Sequence, residues 1–415
     1  MRDVDLLVTN ASALLTLAGP GRPRTGLETG DNAAIPDGAA AVDGGMIIET
    51  GGTAGMVRKY RGRSTVDAAG RLVLPGFVDP HTHLVFAGSR ENEMSLRLSG
   101  KSYLDILKGG GGIHGTVEAT RNASVDLLME LSRRRAGQLL AHGTTTVEIK
   151  SGYGLDSETE EKILDVAGRL KQEGPQDVIV TFLGAHTVPA SAKREEYLDW
   201  LLRDAVPRFR DRAEFCDVFC EDGAFTLCES ERILRAAKEA GYGLKIHAGQ
   251  FNDLGCVRMA ASLSAVSADH LDHVSDEQLD LMREKGMIAV LLPGATFFLD
   301  SNAYPDYKKF REHGVAVALA TDFNPGSCPC FSMQMMISLA VHKMGMSPEE
   351  AVTASTVNAA WAVGRGGLVG SLEPGKQADL IVLDVENAAQ IPYYFGTNLV
   401  RTVVKRGRVI YEKSI

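Results

Sequence analysis

The segment Asp79-Pro80-His81-Thr82-His83 directly follows an apolar run. In an extended chain His81 and His83 project to the same side, so both imidazoles can reach one metal ion. Such a pair also occurs as plain surface polarity; its place at the end of a strand-like run is what points to a site. His247 and Asp322 close two later apolar runs, 244–247 and 315–322. Three neutral imidazoles and one carboxylate suit a borderline divalent ion, zinc or ferrous iron, with zinc–nitrogen bonds of ~2.0–2.1 Å and a position left for water. A cation there lowers the pKa of bound water from ~15.7 to ~7, so the matching chemistry is hydrolysis.

Other residues could assist. His270 ends a further run, and an unperturbed pKa of ~6.5 suits it to exchange a proton, although a core or surface histidine is the alternative. The nearby His273 fits a supporting place. Arg90 and Tyr153 offer a guanidinium fork and a phenol to a substrate carboxylate; each is also compatible with a surface ion pair or a packing aromatic. The glycine run 109–112 lacks the Gly-Lys-Ser/Thr ending of a phosphate loop, which leaves a flexible element near the site or a tight turn.

Catalytic groups this far apart in sequence need a scaffold that gathers strand ends. Eight β-branched or aliphatic runs, at 72–79, 145–150, 178–186, 216–221, 244–247, 265–270, 288–293 and 315–322, alternate with amphipathic stretches. That alternation predicts an α/β chain folded as a (β/α)8 TIM barrel, whose chemistry lies at the carboxyl ends of the strands. Ser157 and Glu160 have the spacing of a helix capping box, with no chemistry implied. Strand-like runs at 4–8, 40–49, 378–384 and 403–411 predict a second, small β-sandwich-like domain built from both chain ends. It would span 1–71 and 371–415, flanking a barrel at 72–370, with 18–36 as an exposed loop.

Composition narrows the function further. The 415 residues are 44% hydrophobic and 23% charged, the proportions of a globular protein. Lys and Arg number 44 against 53 Asp and Glu, a net charge of −9 with no basic block, which argues against nucleic acid as a partner. No apolar run reaches the ~20 residues of a membrane span and no leader is evident, so a cytoplasmic protein without a membrane partner is expected. Six cysteines without a CxxC pair read as free thiols.

Several longer segments sharpen this reading: Leu74-Pro75-Gly76-Phe77-Val78-Asp79-Pro80-His81-Thr82-His83, Glu148-Ile149-Lys150-Ser151-Gly152-Tyr153-Gly154-Leu155, Ala320-Thr321-Asp322-Phe323-Asn324-Pro325-Gly326, and Gly375-Lys376-Gln377-Ala378-Asp379-Leu380. Through them nearly the whole chain resembles the metal-dependent amidohydrolases. The likeness is strongest to members that open a cyclic amide during histidine degradation. The resemblance implies one divalent metal, zinc or iron, on His81, His83, His247 and Asp322. A second metal held by a carboxylated lysine is not implied, because the fourth run reads Asp217-Val218-Phe219-Cys220-Glu221. It further implies that Arg90, Tyr153 and His186 bind a small substrate through its propionate, and that Asn324, Gly326 and Ser327 line the same pocket. His270 and Asp322 become catalytic groups. Gln250 stands where the family has Glu or Gln and would act by orienting substrate. Lys150 would support the pocket, and a homodimer is implied. A deaminase or another cyclic amidohydrolase is the competing activity on the same centre.

Overall fold

The computed structural model describes residues 1–100 and 111–414. The N-terminal strands are β1 (Arg2–Leu15), β2 (Ala34–Asp43), β3 (Met46–Gly52), β4 (Tyr60–Asp67) and β5 (Leu72–Pro75). Then come β6 (Phe77–Asp79), β7 (Thr144–Lys150), β8 (Asp177–Ala185), β9 (Phe215–Cys220), β10 (Gly243–Ala248), β11 (Ser267–His270), β12 (Ile288–Leu291) and β13 (Val317–Leu319). The chain closes with β14 (Leu380–Leu383), β15 (Val400–Lys405) and β16 (Arg408–Glu412).

Strands β6 to β13 pair in parallel in strict sequence order, with helices between most of them, as a (β/α)8 barrel requires. Its first and last strands meet beyond their carboxyl ends: Asp322 N donates to the His81 carbonyl (3.1 Å) and His83 N to the Phe323 carbonyl (2.9 Å). These two bonds set the His81–His83 segment against Asp322.

The chain ends form a separate sheet, hydrogen-bonded in the order β16-β15-β14-β5-β1-β2-β3, with β4 also on β1. Two of the runs expected as single strands, 40–49 and 403–411, are hairpins. Gly44 and Gly45 have φ of 59° and 78°, a pair of left-handed conformations that a two-residue hairpin turn demands and glycine adopts without strain. The run 72–79, expected as one barrel strand, is likewise divided. Leu72–Pro75 pairs with β14 in the end sheet, and Phe77–Asp79 enters the barrel. The chain crosses at Gly76, where any Cβ would collide with Thr145.

One further expectation is refined and another corrected. The segment 18–36 is largely exposed, as expected, but it is anchored at buried points: Arg24 is buried, its backbone N–H donating to Asn358 Oδ1 (2.8 Å), and Thr29 meets Tyr307. The six cysteines are not all free. Cys220, ending β9, and Cys256, opening a helix after β10, form a disulfide with Cα atoms 6.3 Å apart. Strands β9 and β10 are neighbours in the barrel, an adjacency that a separation of 36 positions hides in the sequence.

Side chains alternate along each strand, so residues two apart share a face. Glu148 and Lys150 on β7, Lys245 and His247 on β10, and Ser267 and Asp269 on β11 are fully or almost fully buried pairs of this kind. The barrel centre below the site is therefore ionic, while Val147, Ile149, Leu244 and Ile246 join the apolar layer under the helices.

Candidate active site

The two first-strand histidines and Asp322 converge. His81 Nε2 lies 3.3 Å from His83 Nε2, and Asp322 Oδ1 is 3.5 and 3.6 Å from those two nitrogens. Tetrahedral coordination at ~2.0–2.1 Å separates neighbouring ligand atoms by roughly 3.3–3.4 Å, so the spacing already fits a zinc-sized ion. His247 completes the group, with its ring 4.4 Å from that of His81. Its Nε2 is buried and has no hydrogen-bond partner among the described residues, an arrangement that costs free energy unless a ligand takes the lone pair.

Burial holds His81, His83 and His247 far below the usual imidazole range, hence neutral and able to donate lone pairs. Burial pushes the Asp322 carboxyl up to about 7, against hydrogen bonds from Ser327 and Asn324. His81 Nδ1 faces Asp269 Oδ2 at 2.7 Å. A carboxylate only accepts, so the ring proton sits on Nδ1 and Nε2 is left for a metal. Asp217 Oδ2 stands 3.0 Å from His247 Nδ1, at ion-pair distance without the geometry of a hydrogen bond.

Backbone strain marks the same spot. Asp322 has φ 54° and His270 φ 81°, a region that costs a residue with a Cβ of order 1–3 kcal/mol. The turn aims His270 into the pocket beside the imidazole–carboxylate cluster, its ring 5.4 Å from that of His247. Burial pulls its imidazole down to about 4, so it is neutral at pH 7.

Arg90, Tyr153, His186, Gln250, Asn324 and Ser327 all line this pocket with His83, His247, His270 and Asp322. His186 stacks on His83 (4.9 Å, 14° between planes), and Tyr153 lies 5.5 Å from His186. Gly326 abuts Arg90 so closely that a Cβ there would overlap the guanidinium. Asn324 ties down its own loop: Oδ1 accepts from Gly326 N and Ser327 N (both 2.8 Å), and Nδ2 donates to the Asp322 carbonyl (2.6 Å). Ser327 Oγ donates to Asp322 Oδ2 (3.0 Å), steadying the carboxylate.

Three carboxylates that sequence reasoning missed or misread fix the pocket loops. Glu93 grips Arg90 with both oxygens (3.0 and 2.8 Å) and accepts from Gly112 N (2.8 Å). Of the glycine run 109–112, Gly109 and Gly110 lie outside the described residues. Glu160 is not half of a capping box; Asp156 caps that helix. The buried Glu160 carboxylate accepts from Gly152, Gly154 and Leu155 N–H groups, holding the loop that carries Tyr153. Glu221 accepts from Phe251 and Asn252 N–H groups and so fixes the turn after Gln250. Also missed were the apolar walls Ile113, Phe219, Phe251 and Leu299, drawn from separate loops and strands with no shared pattern.

Residues 72–410 match the amidohydrolase family. The imidazolonepropionase of Geobacillus kaustophilus is 47% identical, covering 98% of this chain and 97% of its own. That of Alkaliphilus oremlandii is 44% identical over 99% of both. Among solved structures, a zinc-bound adenosine deaminase from Xanthomonas campestris superposes with a TM-score of 0.75 at 18% identity, over 98% of this chain and 93% of that one. Guanine deaminase from E. coli does so at 0.73 and 17%, over 98% and 100%. The deaminases share the fold; whole-length identity of 44% and above to the imidazolonepropionases is a closer bond, and with it this chain belongs to the amidohydrolase family, in its imidazolonepropionase branch.

Proposed function

We propose that this protein hydrolyses the endocyclic amide C–N bond of 4-imidazolone-5-propionate to give N-formimino-L-glutamate, a step of histidine degradation. The observation that carries the reading is the pocket itself: an imidazole–carboxylate cluster fit for one cation, faced by Arg90, Tyr153 and His186. An anionic arm can rest on Arg90 while the ring lies over the cluster.

His81, His83, His247 and Asp322 would hold one divalent ion, zinc or ferrous iron, since both accept three imidazoles and a carboxylate. Such an ion supplies Lewis acidity to the ring carbonyl and acidifies water. Arg90 binds the propionate, assisted by the Tyr153 hydroxyl and His186, and thereby sets which ring bond faces the cluster. His270, neutral at pH 7, hydrogen-bonds at the developing oxyanion or takes a proton from the nucleophile. Asp322 relays a proton from the attacking water to the departing ring nitrogen, with Ser327 holding its other oxygen. Such acid–base assistance contributes ~10²–10⁴-fold. The Gln250 amide orients the ring, and Ile113, Phe219, Phe251 and Leu299 keep bulk water off it.

Among the described residues no helix is long and apolar enough to cross a membrane. A cytoplasmic homodimer accompanies this reading on the strength of the family resemblance, and sedimentation at micromolar concentration measures the subunit count. For the activity itself, purified protein supplied with zinc or ferrous iron should consume imidazolonepropionate and release formiminoglutamate. Protein that leaves this compound untouched yet opens or deaminates another ring overturns the assignment.

A further inference from the structure

Two groups of buried residues have cation-binding spacing: His81, His83 and His247, and beneath them Asp217, His247 and Asp269. The second already contains a cation. Lys150 Nζ lies 2.7 Å from Asp217 Oδ2, 3.2 Å from Asp269 Oδ2 and 3.1 Å from Glu148 Oε1, with no side chain of the four exposed. The carboxylate oxygens it touches are the same ones that face the histidines: Asp217 Oδ2 stands by His247 Nδ1 and Asp269 Oδ2 by His81 Nδ1. Lys245 balances the far side, donating to Glu148 Oε2 (2.9 Å), and the Thr181 hydroxyl donates to Glu148. Two ammonium groups thus face three carboxylates in a space closed to water.

We propose that Lys150 is a positioning residue for the catalytic metal: its ammonium fills the cation place between Asp217 and Asp269, aligning both carboxylates on His81 and His247 and keeping a second metal out. This rests on the single-metal reading above. The geometry makes three demands on Lys150. It must be charged, because two carboxylates in contact repel unless a cation lies between them. Its stem must be long enough to reach from β7 to carboxylates on β9 and β11, as the fully buried side chain does. And it must stay out of the substrate pocket, whose lining does not include it. Although burial opposes its charge, Asp217, Glu148 and Asp269 hold the ammonium well above the usual lysine range.

The test is metal binding by apo-protein, read by competition with a chromogenic zinc chelator and by elemental analysis, alongside the far-ultraviolet circular dichroism spectrum. Lys150→Met keeps the length of the side chain and removes the charge. First-site zinc affinity should fall ~10–100-fold, the usual effect of disturbing groups that orient ligands. Lys150→Ala vacates the space and should take up two zinc ions per chain at saturation where the native protein takes one. Lys150→Met with native affinity, or Lys150→Ala holding one zinc with native affinity, overturns the proposal. If the single variants do not fold, Lys150→Met/Asp217→Asn restores charge balance. The lysine acts in part through that carboxylate, so any loss beyond that of Asp217→Asn, which reports the share carried by Asp269, should be smaller than the loss in Asp217→Asn itself; a further loss as large as that of Asp217→Asn alone refutes it. Native protein that binds no zinc at all would instead sink the single-metal reading, a distinct outcome.

Discussion

Arg90→Ala is the substitution that most directly separates substrate choice from hydrolysis. Arg90 is nearly buried, with 7% of its side chain exposed, and Glu93 takes its Nε and Nη2 in a two-pronged ion pair. That pair fixes the fork and sets the Nη1 edge against Gly326 at the pocket wall. Deleting a buried charged partner of a carboxylate costs ~2–5 kcal/mol. At ~1.36 kcal/mol per tenfold this is ~30- to ~5,000-fold in kcat/KM. Glu93 already offsets part of the guanidinium charge, which places the expected loss at the lower end, ~30- to ~300-fold on the same scale. The loss should fall mainly on KM, because the propionate is held equally before and during bond breaking. Steady-state kinetics on imidazolonepropionate and on its neutral propionamide analogue provide the assay. The analogue should lose less than ~5-fold, under ~1 kcal/mol on the same scale. Equal losses on both compounds, or a fall in kcat with KM unchanged, would refute a carboxylate-anchoring Arg90.

Three more outcomes follow from the geometry. Gly326→Ala forces a Cβ into the guanidinium, so KM for the propionate should rise at least tenfold while thermal stability changes little, measured by the same kinetics and by calorimetry. Glu160→Gln leaves one acceptor oxygen where the carboxylate served three loop N–H groups. Denaturant unfolding should show a loss of ~1–3 kcal/mol, the cost of buried groups left unpaired. Burial pushes the Asp272 carboxyl up to about 8 against a hydrogen bond from Thr296 Oγ1 (3.2 Å). Its folded pKa lies above the ordinary ~3.9, so the native state holds an extra proton between about 4 and 8 and stability is lost as pH rises through that window. The decline of Tm between pH 5 and 8 should be shallower in Asp272→Asn; an identical slope contradicts it.

The imidazole–carboxylate cluster of His81, His83, His247 and Asp322 was legible because each residue ends or directly follows an apolar run, and barrel topology turns strand ends into neighbours. Asp322 shows the limit of that legibility. The run 315–322 reads as one strand, yet pairing stops at Leu319 and the aspartate sits in a left-handed turn. Lys150 could be singled out as a charge in an apolar run, but its partners lie 67 and 119 positions onward on β9 and β11, and only closure of the barrel brings them together. Glu160 was misread for a related reason. Local spacing favours a cap, while the loop it binds gains its need for acceptors from the left-handed Gly152 and the tertiary setting of Tyr153. The apolar pocket walls carried no signal, since a phenylalanine facing substrate and one facing a helix look alike in sequence.

One measurement bears on the central claim more than any other: zinc and iron content of purified protein against specific activity, before and after chelation and for Asp322→Asn. One ion per chain should accompany full activity. Chelation should abolish turnover while the circular dichroism spectrum persists, and Asp322→Asn should lose both ion and turnover. Full turnover in protein carrying less than a tenth of an ion per chain would contradict the account.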